Sequence, residues 1–102
     1  MLPLVFPNGA HAAVSLTYDD GLTSHFEDVA PTLERYGLRG TFNTPIARAS
    51  VMQHAPAWRA LAARGHELGN HSLFHPCIST PEEPRPFVGP YNLLDYDERR
   101  LR

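Results

Sequence analysis

Apolar and polar positions along the chain alternate between short strand-like runs and stretches with helical spacing. Ala12-Ala13-Val14-Ser15-Leu16-Thr17-Tyr18 is mostly apolar with little alternation, the pattern of a strand covered on both faces. Between Thr23 and Tyr36, Phe26, Val29, Ala30 and Leu33 recur on one helical face. Thr23 or Ser24 can cap this helix, Glu27 and Asp28 favour its start, and Gly37 follows as a C-cap. Pro31 falls inside the span and predicts a kink, or a turn followed by a helix restarting at Pro31. Arg39-Gly40-Thr41-Phe42-Asn43-Thr44 reads as a second strand, stopped by Pro45. Pro56 to Arg64 is rich in helix formers, with proline at its start and Gly65 at its end, and a third strand, His66 to Gly69, follows.

Strand, helix, strand, helix, strand predicts βαβ units, a parallel sheet and right-handed crossovers. Met1 to His11 is an entry segment of proline, asparagine and glycine turns. Residues 78–92 form a Pro-rich loop, with Pro81, Pro84, Pro86 and Pro90 excluding regular structure as far as Pro90, and Asn92 to Arg102 reads as the first turns of a helix.

In parallel α/β folds, sites assemble at the carboxyl ends of strands. Asp19 and Asp20 close the first strand, Asn43 the second and His71 the third, with His75 just beyond. Adjacent aspartates on a strand point to opposite faces, so the chain must turn for both to serve one site, and Gly21 permits that turn. The plain alternative is an ordinary Asp-Gly turn. His71 and His75 are four apart, and on a single helical turn both imidazoles would lie on one side, within reach of a shared metal. Ser72 can shape that turn through a local hydrogen bond, and Pro76 fixes its exit. The alternative is a pair of histidines unrelated to metal. The coincidence of Asp-Asp-Gly with His-x-x-x-His at one rim favours the metal.

Composition narrows the class without naming a chemistry. The 102 residues suffice for one small domain or part of a larger one, and 42% apolar with 20% charged residues is a globular balance. A net charge of −2 offers no polybasic footprint, which argues against nucleic acid. No apolar run approaches membrane-spanning length, and Pro3 and Pro7 interrupt the opening residues, so neither a signal peptide nor a membrane partner is expected. Lone Cys77 suits a reducing compartment, and a cytoplasmic location is expected. Cys77 itself reads as a small buried residue, Trp58 and Leu61 as core, and His11, His25 and His54 as surface residues.

Thr17-Tyr18-Asp19-Asp20-Gly21 resembles the T-F-D-D-G motif of the polysaccharide deacetylases, the NodB-homology or carbohydrate esterase family 4 group. His71-Ser72-Leu73-Phe74-His75 resembles the family's H-[ST]-x-x-H motif, and Gly40-Thr41-Phe42 and Gly65-His66-Glu67-Leu68-Gly69-Asn70 resemble its connecting phrases. The resemblance covers residues 13 to 77. It implies an α/β fold, the N-terminal part of a distorted (β/α) barrel with parallel strands, so that residues 1–102 form a partial deacetylase-like domain.

It also implies metal-dependent removal of acetyl groups from N- or O-acetylated carbohydrate. By position, Asp20, His71 and His75 would be the metal ligands and Asp19 the general base. The ion would be Zn2+ foremost, with Co2+ or Mn2+ as alternatives. Asn43 would hydrogen-bond substrate or orient Asp19, or else cap a loop. The family's later arginine, oxyanion-hole group and acid histidine find no counterpart after Cys77, and Arg85-Pro86 comes too early to be that arginine. The missing strands would then come from a C-terminal half of the barrel or an oligomer partner. The rival reading is a truncated, non-catalytic metal-binding or interaction module of the same fold. A non-haem iron oxygenase also uses two histidines and a carboxylate, but its common all-β framework does not fit this pattern.

Overall fold

The computed structural model describes residues 3–97. Its centre is a three-stranded parallel sheet of β1 (Thr17–Asp19), β2 (Thr41–Thr44) and β3 (Glu67–Asn70), in the order β1-β2-β3. Between β1 and β2 lies a π-helical segment, His25–Val29, continuous with α1 (Ala30–Arg35). Between β2 and β3 lie α2 (Ala49–Gln53) and α3 (Ala55–Ala63). The α/β reading with parallel strands therefore holds, and α2 is an element that the hydrophobic pattern did not announce.

Register explains how one sheet serves both a core and a site. Tyr18 pairs with Phe42 and Phe42 with Leu68, while Asp19 pairs with Asn43 and Asn43 with Gly69. Side chains alternate along strands and laterally paired residues share a face, so these two rows point to opposite sides. Tyr18 and Phe42 of the first row meet the helices, while Leu68 is exposed at the sheet edge. Phe42 is fully buried, stacks on Tyr18 with centroids 5.2 Å apart, and joins Ala30, Leu33, Trp58 and Leu61 in the core. Trp58 also donates its indole N–H to the Ser50 carbonyl at 3.3 Å, which ties α3 to α2.

Pro31 shapes the first connection. It has no N–H for the carbonyl four residues back, and the turn before it widens so that the Ala30 N–H reaches the His25 carbonyl. The expected restart near Pro31 is thus observed, but the Thr23 or Ser24 cap is not: Ser24 is itself helical and makes no side-chain capping bond. Gly37 ends α1 at φ 70°, with Leu38 N–H bonded to the Leu33 carbonyl and Gly37 N–H to that of Glu34, a Schellman closure. Gly65 at φ 93° ends α3 through the same pair of bonds to Leu61 and Ala62.

At the other end of the strands, buried His66 clips three elements together. Its Nδ1 accepts the Gly40 N–H at 3.1 Å, and its Nε2 lies 3.0 Å from Glu34 Oε1 on α1. Hydrogen bonds from Arg64 first, and from His66 second, hold the Glu34 carboxyl below its ordinary value.

Three expectations need correction. β1 is shorter than residues 12–18: Ala12 to Ser15 are exposed, Val14 by 83%. No element among the described residues covers them, and pairing begins only where the Leu16 carbonyl accepts the Thr41 N–H. The helix expected from Asn92 is a single 3-10 turn, Leu93–Asp95, after which Tyr96 is extended. The rest of that expected helix, residues 98–102, lies outside the described residues. The Pro-rich loop contains a 3-10 turn, Pro86–Val88, and is closed on itself by Asn92, whose amide donates to the Ser79 carbonyl at 2.7 Å and accepts the Ser79 N–H at 3.2 Å.

Candidate metal centre

The sharp turn after β1 is made by backbone in the left-handed region. Asp20 has φ 78° and Gly21 φ 61°, so the chain reverses directly after Asp19 and the two carboxylates need not diverge. Aspartate tolerates this conformation better than most residues. Gly21 also has no room for a side chain, since a Cβ there would lie 2.6 Å from Val51 Cγ2. Ser50 on α2 donates its hydroxyl to the Gly21 carbonyl and locks the turn from outside.

The second motif is not the helical turn that its spacing suggests. Ser72 and His75 both have positive φ, 64° and 53°. Pro76 disfavours helical backbone at the residue before it, and the segment from His71 to Pro76 is a loop. Ser72 does shape it as expected: its Oγ accepts the His75 N–H at 2.8 Å. Two backbone bonds fix the loop against the β2 exit, His71 N–H to the Thr44 carbonyl at 3.3 Å and Ala47 N–H to the Leu73 carbonyl at 3.1 Å.

These two turns bring the three expected ligands together. Asp20 Oδ1 lies 3.3 Å from His71 Nε2 and 3.1 Å from His75 Nε2, and one donor atom from each residue falls within 4.8 Å of the others. In a four-coordinate site with bonds near 2.1 Å, neighbouring donors sit roughly 3.3–3.4 Å apart. The separations from Asp20 are of that size, all three side chains are partly exposed, and the donors match the nitrogen and oxygen preferences of zinc and its neighbours. The residues fit a divalent cation. Asp19, which precedes Asp20 in the chain, is exposed and accepts a hydrogen bond from Asn43 Nδ2 at 2.8 Å. Beside His75 opens a cleft of about 510 Å³, lined among others by Asp20, Arg48, Phe74, Phe87 and Tyr91.

A profile of the polysaccharide deacetylase family matches residues 7–88. The chain belongs to the polysaccharide deacetylase family. Among curated relatives, a peptidoglycan-N-acetylglucosamine deacetylase, PgdA, of Listeria monocytogenes is 33% identical over 67 residues, 65% of this chain and 14% of its own length. A gellan lyase of a Bacillus species is 32% identical over 63 residues, 62% of this chain and 2% of its own length. The chain therefore spans only a small part of the curated relatives it matches. No solved structure is similar enough to count as a match. Members of the polysaccharide deacetylase family act on acetylated carbohydrate and are generally metal-dependent. Tyr18, where this family's motif more often has phenylalanine, packs on Phe42 as an aromatic of either kind would.

Other residues depart from their reading. His25 is not on the surface. It is 5% exposed, packed among Tyr18, Phe42 and Trp58, and its Nδ1 has no hydrogen-bond partner among the described residues. Burial pushes its imidazole below the ordinary value, Asp20 and Asp19 oppose that shift, and Arg48 adds to it. Its spacing of four from Val29 and eight from Leu33 is the signal that it shares the helix's inner face. Cys77 is half-buried with its Sγ 3.1 Å from Arg85 Nη1, and Arg85 also reaches Glu83 at 3.2 Å. The Arg85 guanidinium is thus engaged away from Asp19, as its early position in the chain suggests. The cleft residues Arg48, Phe87 and Tyr91 escaped the sequence reading because they carry no motif.

Proposed function

We propose that this chain carries the metal-binding and base-bearing part of a hydrolase that removes acetyl groups from carbohydrate. The observation that carries the reading is the meeting of Asp20, His71 and His75 around one point, with Asp19 the residue before Asp20 in the chain. Asp20, His71 and His75 would hold a divalent cation, Zn2+ first. Such an ion, when bound, supplies Lewis acidity that activates water and polarises an acetyl carbonyl. Asp19 would accept the proton lost by the attacking water, because its carboxylate is exposed, outside the ligand set and carried by the residue before Asp20. Asp20, with its backbone turned away from the strand, leaves Asp19 free for that task. The cleft beside His75 offers aromatic and aliphatic walls to the apolar face of a sugar ring or an acetyl methyl. The PgdA likeness favours an N-acetylglucosamine-containing glycan as substrate.

The test is acetate release from an N-acetylated chito-oligosaccharide and from acetylated xylan by the zinc-loaded protein, before and after chelation. The expected result is release from the first substrate that stops on chelation and returns with Zn2+. A protein that binds zinc tightly and releases no acetate from either substrate, with zinc, cobalt or manganese, overturns the catalytic reading. The non-catalytic metal-binding module of the same fold would then stand.

A further inference from the structure

Asp19, Asn43 and Gly69 form one lateral row across the three strands, on the face turned away from the helical core. The Asn43 carboxamide lies along that row. Its Nδ2 donates to Asp19 Oδ1 at 2.8 Å, and its Oδ1 lies over Gly69, where a methyl group built on the glycine would overlap it. Gly69 is not among the glycines with positive φ, so its backbone would accept any residue. What this position requires is empty space.

We infer that Asn43 is the positioning residue that aims the Asp19 carboxylate, and that Gly69 is needed as glycine because it leaves room for the Asn43 side chain. The inference rests on Asp19 being the base. Among the described residues no other side chain bonds to Asp19, and both strand neighbours are rigid elements paired in register. An alanine at 69 would press on Asn43 Oδ1 and swing the carboxamide, and the Nδ2 donor would leave Asp19. An exposed carboxylate without that donor samples several rotamers, and fewer of them face the attacking water.

The test compares the zinc-loaded wild type with Asn43→Ala, Asn43→Asp, Gly69→Ala and the Asn43→Ala/Gly69→Ala double variant. The readings are kcat and KM on N-acetylated chito-oligosaccharide, zinc affinity, and the Asn43 side-chain amide resonances in nitrogen-15 spectra. Each single variant should lower kcat by about tenfold to a hundredfold, with KM and zinc affinity within about twofold of wild type in the neutral Asn43→Ala and Gly69→Ala. Asn43→Asp keeps the side chain's shape but puts a second carboxylate where the donor was, facing Asp19, so it separates loss of the donor from the loss of side-chain volume in the alanine variant. The double variant should be no slower than Asn43→Ala, because Gly69 acts through Asn43. The Asn43 amide protons should shift in both Asp19→Ala and Gly69→Ala. A wild-type kcat in Asn43→Ala and Asn43→Asp overturns the inference. So does a Gly69→Ala effect that persists in the Asn43→Ala background, or an Asn43 amide signal indifferent to Asp19. A wild type with no turnover overturns the deacetylase reading instead, and the amide resonances still decide whether Asn43 holds Asp19.

Discussion

Replacing His66 by alanine tests whether the strand ends far from the metal centre hold the sheet that presents it. The Gly40 N–H is buried, and its acceptor is His66 Nδ1. Because Nδ1 accepts, the ring hydrogen sits on Nε2 and is directed at Glu34. His66→Ala leaves that N–H without an acceptor, at a cost of about 1–3 kcal/mol. It also empties the space of an imidazole packed edge-on to Phe42 at 5.4 Å, which adds about 1 kcal/mol for a cavity of that size. The Glu34 contact adds little, because Glu34 is partly exposed and keeps Arg64 at 2.7 Å. The sum is a loss of about 2–4 kcal/mol, measured by equilibrium urea unfolding of the metal-free protein. His66→Asn sets a carbonyl oxygen close to where Nδ1 was and should recover at least about 1 kcal/mol of it. Zinc affinity of the folded variants should be unchanged, since His66 precedes β3 and the proposed ligand His71 follows it. A loss below about 1 kcal/mol, or equal losses in the alanine and asparagine variants, would refute the clip.

Asp20→Asn removes the single anionic member of the proposed ligand set and should weaken zinc binding by more than about a hundredfold, beyond what loss of an outer hydrogen-bond partner costs; competition with a chromophoric chelator measures it, and an unchanged affinity puts the ion elsewhere. Gly21→Ala should destabilise by at least about 1–2 kcal/mol from left-handed backbone alone, and Val51→Ala in the same chain should relieve the added contact, as read from paired melting curves. Burial lowers the His25 pKa, so the unfolded chain binds more protons than the folded one just below about pH 6.5. Stability should therefore decline as pH falls through that range, and His25→Phe should flatten part of the decline in metal-free unfolding series. Equal slopes in the two proteins would mean that His25 keeps its ordinary value.

What could be read ahead of the structure follows from the range of the forces involved. The convergence of Asp20, His71 and His75 was legible because strand order and strand ends are local properties, and parallel pairing carries local ends to a common rim. The form of the His71 to His75 segment was not, although Pro76 stood beside it, because spacing alone does not distinguish one helical turn from a loop with Ser72 and His75 in left-handed backbone. Residues 12–15 look like strand, yet strand formation needs a partner, and their exposure shows that apolar content does not supply one. His25 carries a polar ring in an apolar stripe, and its depth depends on Tyr18, Phe42 and Trp58 arriving from three other elements. Gly69 resembles any glycine in a strand until Asn43 is seen above it.

The left-handed backbone at Asp20 limits which replacements evolution or an engineer can make there. Asparagine and glycine suit the dihedral angles but bring no negative charge, whereas glutamate brings the charge on a longer arm and fits those angles poorly. The exchange usually regarded as mildest therefore carries a conformational cost at this position. With Asp20 as a proposed metal ligand, chemistry and conformation together favour aspartate over each of these residues.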